Sequence, residues 1–86
     1  MISDDDWRLN GQEVAYLTNE VLYFQRWATL DPTWDHDHCE FCFAEFSDRY
    51  SNCLTEGYTT SNLYRWICAD CFVDFKERFG WTVEQR

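Results

Sequence analysis

The most regular pattern of apolar positions lies between residues 69 and 79. Phe72, Phe75 and Phe79 recur at helical spacing and would form one apolar stripe, with charged side chains on the other sides. Gly80 follows at the position where a left-handed residue commonly ends a helix. The pattern predicts an amphipathic helix over residues 69–79.

Strands are predicted from shorter patterns. Residues 20–28 are rich in aromatic and β-branched side chains with alternating character, which indicates a strand buried on at least one face. Residues 58–60 and 63–67 flank Ser61-Asn62, and this arrangement predicts a β-hairpin with a tight connection. The polar stretch 47–57 is expected to form a loop.

The chain of 86 residues is the size of one domain, so residues 1–86 are expected to form a single unit. Within it, residues 7–35 are expected to be an N-terminal extension, with a short helix over residues 12–18 followed by the strand. Residues 36–81 form a second part, which begins after a break at Asp31-Pro32-Thr33.

Two C-x-x-C pairs, separated by 25 residues, carry the strongest chemical signal. Four thiolates at the corners of a tetrahedron are the ligands of a closed structural Zn²⁺ site. The predicted metal ligands are therefore Cys39, Cys42, Cys68 and Cys71.

The order of these parts predicts the fold class, which is a small α+β domain stapled by zinc. A C-x-x-C knuckle, a β-hairpin and a second C-x-x-C at the start of a helix are typical of a treble-clef zinc finger. Backbone amides of the knuckle and the positive end of the helix would steady the thiolates. A zinc ribbon, with both pairs on hairpin turns, is the alternative, and the helical pattern after Cys71 disfavours it.

Two histidines directly precede the first pair. His36 or His38 could replace a cysteine in a three-Cys, one-His site, or both could surround the thiolates as hydrogen-bond donors. Asp35 and Asp37 are expected to fix the tautomers of these imidazoles.

Composition and charge narrow the class of function. The chain is 20% aromatic and carries 7 basic against 16 acidic residues, for a net charge of −9. A four-thiolate zinc site would take this charge to about −11. Such a surface repels nucleic acids and anionic membranes, so the predicted partner is a basic protein.

The expected compartment is the cytoplasm. No segment approaches the ~18 apolar residues of a membrane span, and the acidic Met1–Asp6 segment lacks the features of a signal peptide. In a reducing compartment cysteines serve as metal ligands rather than in disulfides. The fifth cysteine, Cys53, is expected to be a small free thiol.

Catalysis is not expected. A closed four-sulfur site leaves no coordination position for water, and the sequence has no glycine-rich phosphate loop or serine elbow. Pairs of acidic residues such as Glu45/Asp48 and Asp74/Glu77 are interpreted as solvated charge.

Three stretches resemble a family of small bacterial proteins without an established function. They are Trp7 to Glu13 (WRLNGQE), residues 35–42 (DHDHCEFC) and residues 66–81 (WICADCFVDFKERFGW). The resemblance implies a stand-alone, cytosolic zinc-binding domain of bacterial or phage origin, and it implies no particular activity for this chain. The Asp-His-Asp-His string is also similar to the metal-binding string of HNH nucleases of the recombination endonuclease VII type. In that family the histidines lie between the cysteine pairs, whereas His36 and His38 precede them.

The leading functional hypothesis is a structural zinc-binding protein that acts as an acidic protein–protein interaction module. Trp34 and Trp81 either belong to an exposed docking face or cap the core. A second hypothesis is an immunity or anti-defence inhibitor that mimics nucleic acid, and a nuclease is a third. Mimicry requires a set of carboxylates to gather on one face: Asp4, Asp5, Asp6, Glu40, Glu45, Asp70, Asp74 and Glu77.

Overall fold

A computed structural model describes residues 6–9 and 16–85. Most of the helix predicted over residues 12–18 lies outside the described residues, as do Asp4 and Asp5. The described elements are a 3₁₀ turn at Trp7–Leu9, strands β1 (Val21–Arg26), β2 (Asp37–His38), β3 (Glu45–Phe46), β4 (Glu56–Thr59) and β5 (Trp66–Ile67), helix α1 (Ala69–Phe79) and strand β6 (Thr82–Glu84). The described helices are all too short or too polar to cross a bilayer.

The strands form two sheets. The larger sheet has the order β5-β4-β1-β6, in which β1 is antiparallel to β4 and parallel to β6. The smaller sheet is the β2–β3 hairpin, and a bridge between Cys39 and Trp66 joins it to β5. The first cysteine pair and the strand that leads into the second pair are therefore neighbours.

Helix α1 confirms the helical prediction, including both of its ends. The Sγ atom of Cys68 accepts a hydrogen bond from the backbone amide of Cys71, so Cys68 is the N-cap. Gly80 adopts a left-handed conformation with φ of 70°, and its amide donates to the carbonyl of Lys76. Since a Cβ atom at this position would lie 2.6 Å from Oδ1 of Asn19, glycine is required for space as well as for conformation.

The core is a cluster of rings between α1 and the first cysteine pair. The ring of Phe41 lies 4.9 Å from that of Phe75 and 5.4 Å from that of Phe79. Trp81 stacks on Phe79 at 5.3 Å and donates from Nε1 to the carbonyl of Leu17. Because only 3% of Trp81 is exposed, it caps the core, and the hypothesis that Trp81 belongs to a docking face is wrong.

The predicted hairpin exists as β4 and β5, but its second strand is shorter and its connection longer than expected. The side chain of Thr59 donates to the carbonyl of Arg65, and the amide of Thr60 donates to the same oxygen. These bonds close a wide turn over residues 60–65 in place of a tight Ser61-Asn62 connection. Strand β4 also begins at Glu56, inside the stretch predicted as a loop.

The strand predicted over residues 20–28 is confirmed as β1. Only Leu22 within it is fully buried, and 47% of Phe24 is exposed. The sheet therefore buries part of one face and leaves an aromatic side chain on the surface.

Candidate metal centre

The structure brings the four cysteines of the two C-x-x-C pairs together. One ligand atom from each lies within 4.8 Å of the other three, and the Sγ atoms of Cys42 and Cys68 are 3.6 Å apart. Cys39 and Cys42 follow β2 at the turn of the knuckle, while Cys68 and Cys71 occupy the N-cap and first turn of α1. All of them are free cysteines. The arrangement is a four-sulfur group able to hold a metal ion.

The spacing fits the donor set of a tetrahedral site. Zn–S bonds of about 2.3 Å place neighbouring sulfurs about 3.8 Å apart in a tetrahedron. The 3.6 Å separation of the Cys42 and Cys68 sulfurs is close to that edge. Cys39, Cys68 and Cys71 are buried, and Cys42 is half-buried. A metal held here would be enclosed on most sides.

Backbone amides point at two of the sulfurs, as the sequence analysis expected. Sγ of Cys39 accepts from the amides of Phe41 at 3.5 Å and Cys68 at 3.4 Å. Sγ of Cys68 accepts from the amide of Cys71 at 3.5 Å. Hydrogen bonds from amides stabilise thiolate charge, and they also fix the direction of each sulfur before a metal binds.

The pKa values of three of the thiols are shifted in different directions. A hydrogen bond from the Cys71 thiol, with help from backbone amides, lowers the pKa of Cys39 to about 5. The same interaction raises the pKa of Cys71, and burial raises the pKa of Cys68 to about 11. A cation held between the sulfurs would favour the thiolate form of each of them.

Arg8 joins the N-terminal extension to this centre. Its guanidinium donates from Nη1 to Sγ of Cys71 at 3.5 Å and to Asp74 at 2.9 Å, and it lies over the ring of Phe75 at 4.5 Å. Asp6 forms a further ion pair with Arg8 at 2.9 Å, and that pairing lowers the pKa of Asp6 to about 2. The positive charge beside a sulfur favours the thiolate.

Sequence reasoning missed the contact of Arg8 with the centre. Arg8 lies 63 positions before Cys71, and no local pattern relates the two. The available signal was its place in the stretch Trp7 to Glu13, which carries part of the family resemblance.

The histidines lie in a different group. His36 and His38 come together with Glu45, and the four-cysteine group forms without either of them. As expected, Asp35 holds the imidazole of His36, with Oδ1 2.7 Å from Nδ1. The corresponding expectation for Asp37 is wrong, because the buried Asp37 accepts instead from the indoles of Trp27 and Trp34.

Cys53 belongs to neither group. Its thiol lies 3.5 Å from Oε1 of Glu45, and partial burial raises its pKa. A thiol with a raised pKa is a poor nucleophile, which agrees with the interpretation of Cys53 as a plain free thiol.

Comparisons with protein-family models, with curated proteins and with solved structures find no match to this chain. The resemblance to a family of small bacterial proteins therefore stays a prediction.

Acid is expected to release the bound metal and to destabilise the fold. The pKa of Cys39 in the folded chain, about 5, is below the ordinary thiol value of 9.0. A depressed folded-state pKa contributes stability above the ordinary value, and this contribution is lost as pH falls from about 9 to about 5. A bound cation extends this effect to the other thiols, since protons compete for each sulfur. Thermal melting and metal content measured between pH 8 and pH 4 would check this, and a melting temperature unchanged down to pH 4 would contradict it.

Proposed function

We propose that this chain is a structural zinc-binding domain of the treble-clef type. The observation that carries the proposal is the meeting of four sulfurs, two from a knuckle and two from the start of a helix. The β4–β5 hairpin lies between the two pairs in the chain, as in a treble clef. Four thiolates within 4.8 Å of one another favour Zn²⁺ over harder cations. Cysteines that act as thiolate ligands rather than forming disulfides are typical of a reducing compartment such as the cytoplasm.

The surface beside the metal centre supports a role in protein–protein interaction. A cleft of about 890 Å³ is lined by the exposed side chains of Trp7, Phe24 and Leu54, of which 59%, 47% and 39% are accessible. Cys42 and Cys68 also line this cleft, so a zinc ion bound to them would fix this part of its surface.

The lining of this cleft carries more acidic than basic side chains. Asp6, Glu56 and Asp70 line it, and Arg8, which also lines it, pairs with Asp6 at 2.9 Å, on a chain with a net charge of −9. Exposed aromatic side chains and carboxylates in one cleft suit a partner that presents an apolar residue next to lysine or arginine. We therefore propose a basic protein as the partner and no catalytic activity for the four-sulfur centre.

Mimicry of nucleic acid is not favoured by the arrangement of charges. Among the carboxylates that it requires, Asp6 and Asp74 pair with Arg8, and Glu40 pairs with Arg65 at 3.0 Å. These pairs reduce the negative field where a continuous acidic stripe would be needed.

Replacing the cleft aromatics is expected to remove the partner while the fold persists. Trp7→Ser and Phe24→Ser each truncate an exposed ring, and loss of an aromatic anchor typically weakens binding by about 2 kcal/mol, or roughly thirtyfold. The measurement is quantitative capture of host proteins on immobilised chain, followed by titration of the most enriched basic protein against each variant.

Val73→Ser provides the matched control, because Val73 is 75% exposed on α1 and does not line the cleft. Capture should persist with this variant at the wild-type level. If both cleft variants bind the same protein as tightly as wild type, the cleft is not the interface.

A further inference from the structure

A second group of metal-binding side chains lies on the β2–β3 hairpin. His36 directly precedes β2 and His38 lies in it, and their rings are 5.0 Å apart on the same face. Glu45 on β3 is the register partner of His38 and therefore stands directly opposite it. Asp37, between the histidines, points the other way into the core, where it accepts from two indoles. The alternation of the strand thus gathers two imidazoles and one carboxylate on the surface.

The distances suit a metal ion. Nε2 of His36 and Nε2 of His38 each lie 4.0 Å from Oε2 of Glu45. One ligand atom from each of the three side chains is within 4.8 Å of the other two. An ion placed between three atoms so separated would be about 2.5 Å from each, within ~0.5 Å of ordinary Zn–N and Zn–O bonds. Small rotations of these partly exposed side chains close that difference.

One of the two imidazoles is already oriented. Nδ1 of His36 lies 2.7 Å from Oδ1 of Asp35, and Oδ2 of the same carboxylate accepts from the hydroxyl of Tyr50 at 2.7 Å. Ser47 donates to the backbone carbonyl of Asp35 at 2.7 Å and so restrains the segment. With the proton on Nδ1 held by Asp35, Nε2 keeps its lone pair for a metal. A carboxylate, a histidine and a metal in this order are the usual arrangement around protein-bound zinc.

The group is open to solvent, unlike the four cysteines. The three side chains are between 41% and 49% exposed. Both histidines also line a cleft of about 490 Å³ that includes Trp34, Tyr64 and Arg65. Three partly exposed protein ligands, two of which line this cleft, leave at least one coordination position for water or for a donor from another molecule.

We propose that His36, His38 and Glu45 form a second, exchangeable site for a divalent transition metal of the zinc type. Two imidazoles and one carboxylate select Zn²⁺ and similar ions and disfavour Mg²⁺ and Ca²⁺. This site is separate from the four-sulfur group, where the proposed function places the structural ion. The chain thus binds two ions, one permanent and one that exchanges with solvent.

The test counts Zn²⁺ in the full chain. Protein dialysed against metal-free buffer at pH 7.5 is expected to retain one equivalent, and calorimetric titration with Zn²⁺ alone is expected to show one more. Chain produced with Co²⁺ in place of Zn²⁺ distinguishes the sites, because only thiolate ligands give intense sulfur-to-cobalt charge-transfer bands. A chain that binds the exchangeable equivalent but shows no thiolate bands would refute the four-cysteine centre and leave the second site standing.

Variants identify the ligands. His38→Ala and Glu45→Gln are each expected to reduce the total from two equivalents to one while the thiolate bands persist. Asp35→Ala is expected to weaken the second equivalent by about 10- to 100-fold, because it removes the partner that orients His36. Glu77→Gln, which neutralises an exposed carboxylate on α1, is the matched control and should leave both equivalents unchanged.

Two outcomes overturn the proposal. One is a wild-type chain that binds no Zn²⁺ beyond its cysteine-bound ion at micromolar protein and metal. The other is a second equivalent that survives both His38→Ala and Glu45→Gln with unchanged affinity.

Discussion

Cys71→Ser is expected to leave the chain without its cysteine-bound metal and without a cooperative unfolding transition. Cys71 is 1% exposed, stands in the first turn of α1 and lies in the four-sulfur group with the two knuckle cysteines. Metal binding by structural zinc sites contributes on the order of 10 kcal/mol, which is as large as the whole stability of a small domain. A hydroxyl is a far weaker zinc ligand than a thiolate, so the knuckle and the helix would separate.

Circular dichroism during thermal melting and elemental analysis of the purified variant measure this effect. Cys53→Ser is the matched control, because Cys53 is a free cysteine outside the four-sulfur group. The control should keep one cysteine-bound zinc and melt close to wild type. A Cys71→Ser chain that retains zinc and melts cooperatively near the wild-type temperature would refute the structural role of the metal.

Phe41→Ala is expected to destabilise the metal-loaded protein by about 3–5 kcal/mol, the usual effect of removing a buried phenylalanine ring. Phe41 has no exposed surface, and its ring contacts those of Phe75, Phe79 and Trp81. It lies between the first two cysteines, so it packs the knuckle onto the helix independently of the metal.

Urea denaturation at saturating Zn²⁺ measures the change in unfolding free energy. Phe43→Ala is the matched control, since Phe43 stands two positions later and is 66% exposed. Its replacement should change stability by no more than about 0.5 kcal/mol. Equal losses in the two variants would show that the ring of Phe41 does not join the knuckle to the helix.

The two C-x-x-C pairs and the helix could be predicted from sequence because each depends on near neighbours. A C-x-x-C turn and a stripe at 3.6-residue spacing are both complete within a few residues of chain. The hydrogen bond between Asp35 and His36 is local in the same way, and it was also expected.

The proposed second metal site could be predicted from the sequence only in part. The sequence indicates His36 and His38 as alternative ligands of the four-cysteine centre, whereas Glu45 was interpreted as solvated charge. Placing Glu45 beside the histidines requires the register of β2 against β3, which pairs Glu45 with His38. Strands of two residues have too little alternation to be recognised in sequence.

Strand β6 was missed for a related reason. Val83 is 42% exposed and the strand has no buried residue, so no apolar pattern marks it. Strand β6 forms by pairing with β1 at the edge of the sheet, where Val21 is the partner of Thr82. This pairing joins residues about 60 positions apart, and it depends on where the chain lies after the end of α1.

The sequence by itself determined the four candidate sulfur ligands, the limits of α1 and the acidic balance of the chain, since each follows from local spacing or from composition. Only the tertiary structure decided that Arg8 reaches Cys71, that Trp81 is buried and that Glu45 joins the histidines. The physical reason is that a side chain's partner across a fold is set by the packing of whole elements, and no short stretch of sequence contains that information.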